Sequence, residues 1–199
     1  MIYYILIPFI SYFCGAVPFS YLLVKGIKGV DIRDVGSGNV GATNAGRVLG
    51  KWGFIGAFLL DMSKAFIPLF IFLNYLPINN TLILVSAVCI IIGHTYTVFL
   101  RFKGGKGVAT GVGIFLALSP LNLFIALIVF LVVIGAFRMV SLGSVTAAIT
   151  LAVLVWLRTD WLGLQLFTTL VVLFVIFKHR SNIRRIIEGK ESKIGEKVG

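Results

Sequence analysis

Gly36-Ser37-Gly38-Asn39-Val40-Gly41-Ala42-Thr43-Asn44, with Arg47 just beyond it, is the longest polar run ahead of the C-terminal tail. Residues 36–41 match G-x-G-x-x-G literally. A dinucleotide-binding fold would follow if a strand preceded them and a βαβ unit enclosed them. Apolar stretches of membrane-spanning length stand on both sides instead, so the run reads as a turn of a membrane bundle. Its glycines let backbone N–H groups face inward as a concave anion site. An arginine beyond supplies the planar fork that suits phosphate. The stretch is therefore predicted to be a phosphate cradle; the plainer alternative is a Gly/Asn-rich turn between helices. A Walker loop is excluded, because Gly107 stands after Lys106 where Ser or Thr is required.

At 199 residues the chain is the length of one domain, taken as residues 1–199. Its 59% hydrophobic and 13% charged content and mean hydropathy of +1.05 exclude an ordinary soluble protein. Apolar segments over 2–24, 54–76, 81–100, 107–118, 121–137, 143–157 and 161–177 predict an all-α integral membrane protein of about seven transmembrane helices. The fourth segment is short, which leaves a five-span alternative. With the N-terminus outside and the C-terminus in the cytoplasm, sixteen of the eighteen Lys and Arg residues fall on the inner face. The positive-inside rule thus accounts for the net charge of +11, and no nucleic-acid partner is needed. Cys14 and Cys89 lie in apolar segments without metal-ligand spacing and read as packing residues. The first segment reads as a retained span, since Ser11-Tyr12-Phe13-Cys14 lacks the small residues of a processing site.

Within the first span, Ser11 and Gly15 share a face and signal close helix packing. Asp31-Ile32-Arg33-Asp34 reads as a charge cluster, solvated or pinning the loop. In the second span Asp61 and Lys64 are three apart and can pair. They are either a structural pair supporting the site or direct substrate contacts. Ser119-Pro120 breaks the long apolar run 108–137, and Trp156 and Trp161 flank an outer turn as interfacial anchors. Gly104-Gly105-Lys106-Gly107 makes a second basic, glycine-rich inner turn and opens a helix, whose first N–H groups favour an anion. The tail from 178 to 199 is basic, and beyond Glu188 it is expected to be polar and mobile.

The inner segments gather Arg47, Lys106, Ser144, His179, Asn182 and both glycine-rich turns, which suggests a site for a phosphorylated substrate. His94 and His179 are the only histidines and hence the general-base candidates. His94 reads equally as a buried histidine satisfied by backbone. No metal site and no cofactor are expected.

These residues carry a resemblance. Ser37-Gly38-Asn39-Val40-Gly41-Ala42-Thr43-Asn44, Gly93-His94-x-Tyr96, Phe102-x-Gly104-Gly105-Lys106-Gly107-Val108-Ala109-Thr110 and His179-x-x-Asn182-Ile183-x-Arg185 together resemble the bacterial acyl-phosphate:glycerol-3-phosphate acyltransferase family. The resemblance runs from the first span to the tail. It implies a seven-span enzyme of the bacterial inner membrane with its site on the cytoplasmic side. The implied reaction moves a fatty acyl group from acyl-phosphate to the 1-hydroxyl of glycerol-3-phosphate, giving lysophosphatidic acid and phosphate, the first acylation of phospholipid synthesis.

By position, the resemblance implies catalytic roles for Ser37, Arg47, Lys106, His179 and Asn182. Gly38, Asn39, Gly41, Ala42, Thr43, Asn44, Gly104, Gly105 and Ser144 are implied to bind substrate phosphate, with His94, Asp61 and Lys64 supporting. Thr97 stands where the family's second motif has proline, and Ala65 follows Lys64 where glycine is common; both bear on local helix geometry. Partners are the two substrates and membrane lipid, with no obligate protein partner. The competing class is a transporter or channel for phosphate or a phosphorylated metabolite. That class predicts polar residues leading to both faces, whereas the outer turns here are short and almost uncharged.

Overall fold

A computed structural model of the protein describes residues 2–196; Met1 and residues 197–199, including Lys197 of the basic tail, lie outside them. The described residues are helical, with no strand, and fall into two compact units, one running to Leu118 and one beginning at Ser119.

In the first unit, α1 (Tyr3–Ala16) and α2 (Phe19–Lys28) are separated at Val17-Pro18. Val17 is extended (ψ 116°) because the proline ring after it disfavours helical backbone. The long α3 (Ala42–Tyr75) follows, then α4 (Asn80–Thr95), a 3₁₀ turn (Val98–Leu100) and α5 (Val108–Leu118). The helix of the second expected span therefore begins at Ala42, not near Phe54, and bends at Gly50 (φ 75°, ψ −167°). The loop before it is correspondingly shorter than expected, and Ala42, Thr43, Asn44 and Arg47 occupy a helix start instead of a turn.

Helix α1 packs on α4, and α3 packs on α2 and α5. The small-residue signal is borne out: Ser11 is fully buried, and Gly15 lies against the carbonyl of Ile90. Close backbone approach of this kind is what holds helices together when lipid offers no hydrophobic contrast. Ala65 is wholly buried and faces Gly113 of α5.

The second unit comprises α6 (Pro120–Phe137), α7 (Val140–Arg158), α8 (Leu162–Lys178) and α9 (Arg180–Ile187). The break at Ser119-Pro120 is as expected, with Pro120 in the first turn of α6, where its missing N–H costs nothing. Helix α7 packs against both α6 and α8. Trp156, 47% exposed, donates from Nε1 to Thr169 Oγ1 at 2.9 Å.

Each expected apolar segment lies on a helix. Five stretches are long and apolar enough to cross a membrane: Tyr3–Lys28, Ala42–Tyr75, Asn80–Leu100, Pro120–Phe137 and Val140–Arg158. Helices α8 and α9, bent by 58°, make a sixth if taken as one span. Helix α5, at 11 residues, extends only ~16 Å against a hydrocarbon core of ~30 Å. Outward-facing Phe9, Leu131 and Leu170 are each more than 60% exposed, as a lipid-facing surface requires. The protein is a multi-pass helical membrane protein.

Candidate active site

The first cradle is built from its ends inward. Ile32 and Val40, both buried, anchor residues 32–41 on an apolar cluster with Val24, Ala45, Ala57 and Leu100. Asp31 caps the short 3₁₀ turn Ile32–Asp34 and grips Arg33, with Nη2–Oδ2 at 2.6 Å. The hydrogen bond from Arg33 leads the causes that hold the Asp31 carboxyl below its ordinary range. The Asp31–Arg33 pair thus pins the loop.

Asn44 then staples the cradle from inside. Its amide donates both hydrogens, to Ile32 O and Val35 O at 3.0 Å each, and its Oδ1 accepts from Ser37 N at 2.9 Å. Fully buried, the Asn44 side chain shapes the loop. Gly36 (φ 60°) sits directly over it, where a Cβ would strike Asn44 Oδ1. Gly38 also takes a positive φ (68°), and Ser37 and Gly38 are exposed while Asn39 is half-buried. Gly41 is the N-cap of α3. The amides of Ala42 and Thr43 open that helix and by position lack an intrahelical acceptor. Arg47, exposed, lies one turn after Thr43, with its stem alongside Gly36. The arrangement is a helix start ringed by small residues with an arginine beside it, as an anion requires.

The second turn folds back on the end of α4. Thr97 replaces the expected proline without distortion: its φ of −67° is one proline would adopt. Its hydroxyl donates to Ala16 O at 2.6 Å, tying α1 to the turn. Arg101 and Phe102 both take left-handed backbone, and Phe102 N returns to Thr97 O at 2.8 Å. Gly104 N donates to Thr95 O at 3.0 Å and Gly105 N to His94 O at 3.2 Å. These two amides are therefore spent within the protein. The glycines serve close approach instead: a Cβ on Gly105 would strike both Val40 O and His94 Nε2. Val40 belongs to the first cradle, so the two glycine-rich turns meet at Val40–Gly105. Half-buried Lys106 and the start of α5 follow directly. Two residues that sequence reasoning missed line this region. Thr95 Oγ1 and Thr110 Oγ1 are buried with no hydrogen-bond partner among the described residues.

Asp61, Lys64 and His94 form one buried group beneath the turns. Lys64 Nζ lies 2.7 Å from Asp61 Oδ1, a close charge contact, and hydrogen-bonds Val17 O at 2.7 Å and His94 Nδ1 at 3.0 Å. Asp61 Oδ2 accepts from Ser20 Oγ at 2.8 Å. His94 is buried as expected, but held by a lysine and not only by backbone.

In the second unit, His179 sits at the α8–α9 corner, buried, its Nδ1 2.8 Å from Val175 O. A carbonyl can only accept, so Nδ1 carries the proton and a neutral ring keeps its lone pair on Nε2. Ser144, at the start of α7, bonds Val140 O of its own helix at 2.8 Å. Asn182 Nδ2 donates to Glu191 Oε1 at 2.6 Å, as does Ser141 Oγ at 2.7 Å, while Arg185 Nε reaches Oε2 at 2.7 Å.

Glu191 was missed because the tail beyond Glu188 was expected to be mobile. Instead, Gly189 (φ 69°) closes α9 with Gly189 N→Ile186 O and Lys190 N→Arg185 O, reversing the chain. Ile194 then pairs with the Arg138 backbone at 2.8 Å. The signal was legible as a glycine two residues before an acidic residue at a helix end. Burial pushes the Glu191 carboxyl up, but hydrogen bonds from Ser141, Asn182 and Arg185 and the Arg185 charge outweigh it, leaving it below the ordinary value.

Fold and site together define a multi-pass helical membrane protein with two glycine-rich turns that lead into helix starts. Residues 5–189, spanning both units, match the family described as glycerol-3-phosphate acyltransferase, and the chain belongs to that family. Relatives include the glycerol-3-phosphate acyltransferase of Endomicrobium trichonymphae, 40% identical over 194 residues, covering 98% of this chain and 97% of that one. That of Desulforamulus reducens is 42% identical over 187 residues, covering 94% and 93%. The crystal structure of PlsY (YgiH), an integral membrane glycerol 3-phosphate acyltransferase, in its glycerol 3-phosphate form is similar at a TM-score of 0.91 and 36% identity, covering 96% of each chain. Its lysophosphatidic acid form gives 0.89 and 35%, covering 96% of this chain and 95% of that one.

Proposed function

We propose that the protein transfers a fatty acyl group from acyl-phosphate to the 1-hydroxyl of glycerol-3-phosphate, releasing lysophosphatidic acid and phosphate. The enzyme works from the cytoplasmic side of a bacterial inner membrane, with seven crossings and the N-terminus outside. The observation that carries the reading is the meeting of two glycine-rich turns at Val40–Gly105, each opening a helix and each followed by a basic side chain, Arg47 or Lys106. Two phosphate-bearing substrates need two such anion sites.

In this reaction the glycerol hydroxyl oxygen bonds to the acyl carbon and the carbon–oxygen bond to phosphate breaks. Phosphate leaves readily from a mixed anhydride, so no acyl-enzyme is required. Arg47 and the start of α3, with Ser37, Gly38, Asn39, Gly41, Ala42 and Thr43, hold phosphate. Lys106 neutralises the charge growing on the leaving group. Ser144 and Asn182 take part as the family resemblance implies. His179, with Nε2 unprotonated, accepts the hydroxyl proton; a phosphate oxygen of the substrate is the alternative base.

The test is phosphate release by purified protein in detergent, given acyl-phosphate with and without glycerol-3-phosphate. Release that depends on glycerol-3-phosphate, with little product from palmitoyl-coenzyme A or an acyl carrier protein, is expected. Comparable turnover with either thioester would refute the donor assignment.

A further inference from the structure

A charged pair buried in a membrane helix is costly, and apolar residues of similar size would pack there without that penalty. The Asp61–Lys64 pair, with side chains 1% and 3% exposed, therefore calls for a role beyond stability. An ammonium group has three donors and no acceptor. Lys64 hydrogen-bonds Val17 O and His94 Nδ1 and stands in close charge contact with Asp61 Oδ1. His94 Nδ1 must then be the accepting nitrogen, and the ring proton lies on Nε2. That nitrogen is the one against Gly105, beside Val40 O, where the two glycine-rich turns meet. The Gly105 and Gly104 amides bond the carbonyls of His94 and Thr95, so the imidazole and its own backbone hold the turn together. Ser20 fixes the far side of Asp61 from α2.

We propose that Asp61 and Lys64 act through His94 as positioning residues: they hold its Nε2–H towards the junction of the two glycine-rich turns and so set the placement of Lys106. This rests on the reading of those turns as the acyltransferase's phosphate sites. The role is indirect, since none of the three side chains need touch substrate.

An Asn side chain places its polar atoms near the Nδ1 position of a histidine, and a Gln side chain near Nε2. His94→Asn keeps an acceptor for Lys64 but withdraws the donor from the turn; His94→Gln restores a donor there. Misplacing a reacting group by about 1 Å costs on the order of 10²-fold. The full-length protein in detergent is expected to lose about that much kcat/KM in His94→Asn and to regain at least ~10-fold of it in His94→Gln. Melting and elution should stay close to wild type in both.

A spectroscopic arm is independent of turnover. In protein labelled with ¹⁵N-histidine, His94 should show the neutral Nε2–H form, assigned against His179→Gln, and Asp61→Asn should disturb it. Wild-type kinetics in His94→Asn, or an Nδ1–H or doubly protonated His94, would overturn the proposal. If a variant fails to fold, the ¹⁵N signal of the wild type still decides. Wild-type protein inactive with acyl-phosphate and glycerol-3-phosphate would sink the functional reading, while the tautomer measurement would still judge the network.

Discussion

Replacing Glu191 by alanine tests the part of the protein that the sequence concealed most. The carboxylate is 6% exposed and accepts from Ser141, Asn182 and Arg185 within 2.7 Å. Arg185 is 42% exposed, so water screens that bond and its contribution is discounted. The other two are buried bonds to a charged acceptor, about 1.5–3 kcal/mol each. Their sum, roughly 3–6 kcal/mol, overlaps the ~3–5 kcal/mol typical of breaking a buried charged contact. Against a total fold stability of ~5–15 kcal/mol this is a large local loss. The tail should detach from α7, and Asn182 should lose its orientation. Glu191→Gln keeps one acceptor oxygen but weakens each bond by about half and turns an amide towards Arg185, so it should fall between. The assay is thermal unfolding in detergent alongside kcat. Glu191→Ala should melt well below wild type and turn over about 10²-fold more slowly, the size of a small misplacement. Alanine protein with wild-type melting and wild-type kcat would refute the assignment.

The lowered Glu191 titration gives a pH signature: its stabilisation is complete above the unfolded value of ~4.3 and is lost as pH falls through the lower folded value. Proteolysis of the tail should be flat from neutrality to about pH 5 and rise only below about pH 4, and loosening nearer neutrality would contradict this. Lys106→Ala should lower turnover by about 10²–10³, or ~3–4 kcal/mol, with elution unchanged; kinetics like wild type would return Lys106 to an ordinary flanking charge. In a chain stripped of Cys14 and Cys89, cysteines at Asn79 and Thr159 should label from outside the cell and those at Ser37 and Ser192 should not. Labelling at Ser37 would invert the topology.

Helices, the break at Ser119-Pro120 and the glycine-rich turns were legible because each rests on short-range chemistry: apolar runs of membrane length, a proline, and clustered glycines. Helix starts were less so. Nothing local places the onset of α3 at Ala42 instead of Phe54, because Gly50 interrupts the pattern and Asn44 secures the first turn from the far side of the loop. Roles of individual polar groups were the least legible. Asn44, Gly104 and Gly105 look like ligand donors by composition, yet their donors are consumed by carbonyls brought in through tertiary packing. Glu191 looked like tail because its partner on α7, Ser141, lies fifty residues away and its nearer partners are reached only after the chain reverses at Gly189.

The two histidines show why residue type alone does not assign a role. His94 faces a lysine, which can only donate, and so presents an N–H at its far nitrogen. His179 faces a backbone carbonyl, which can only accept, and so presents a lone pair there. In the proposed mechanism one holds a structure and the other takes a proton. Amide replacements should therefore separate them. A glutamine supplies an N–H where His94 has one, and function should return there. At His179 neither Asn nor Gln should restore turnover, however well either packs, because an amide oxygen accepts a hydrogen bond but does not take up the proton. Recovery of turnover in His179→Gln would mean that the ring only positions, and would move the base to a phosphate oxygen of the substrate.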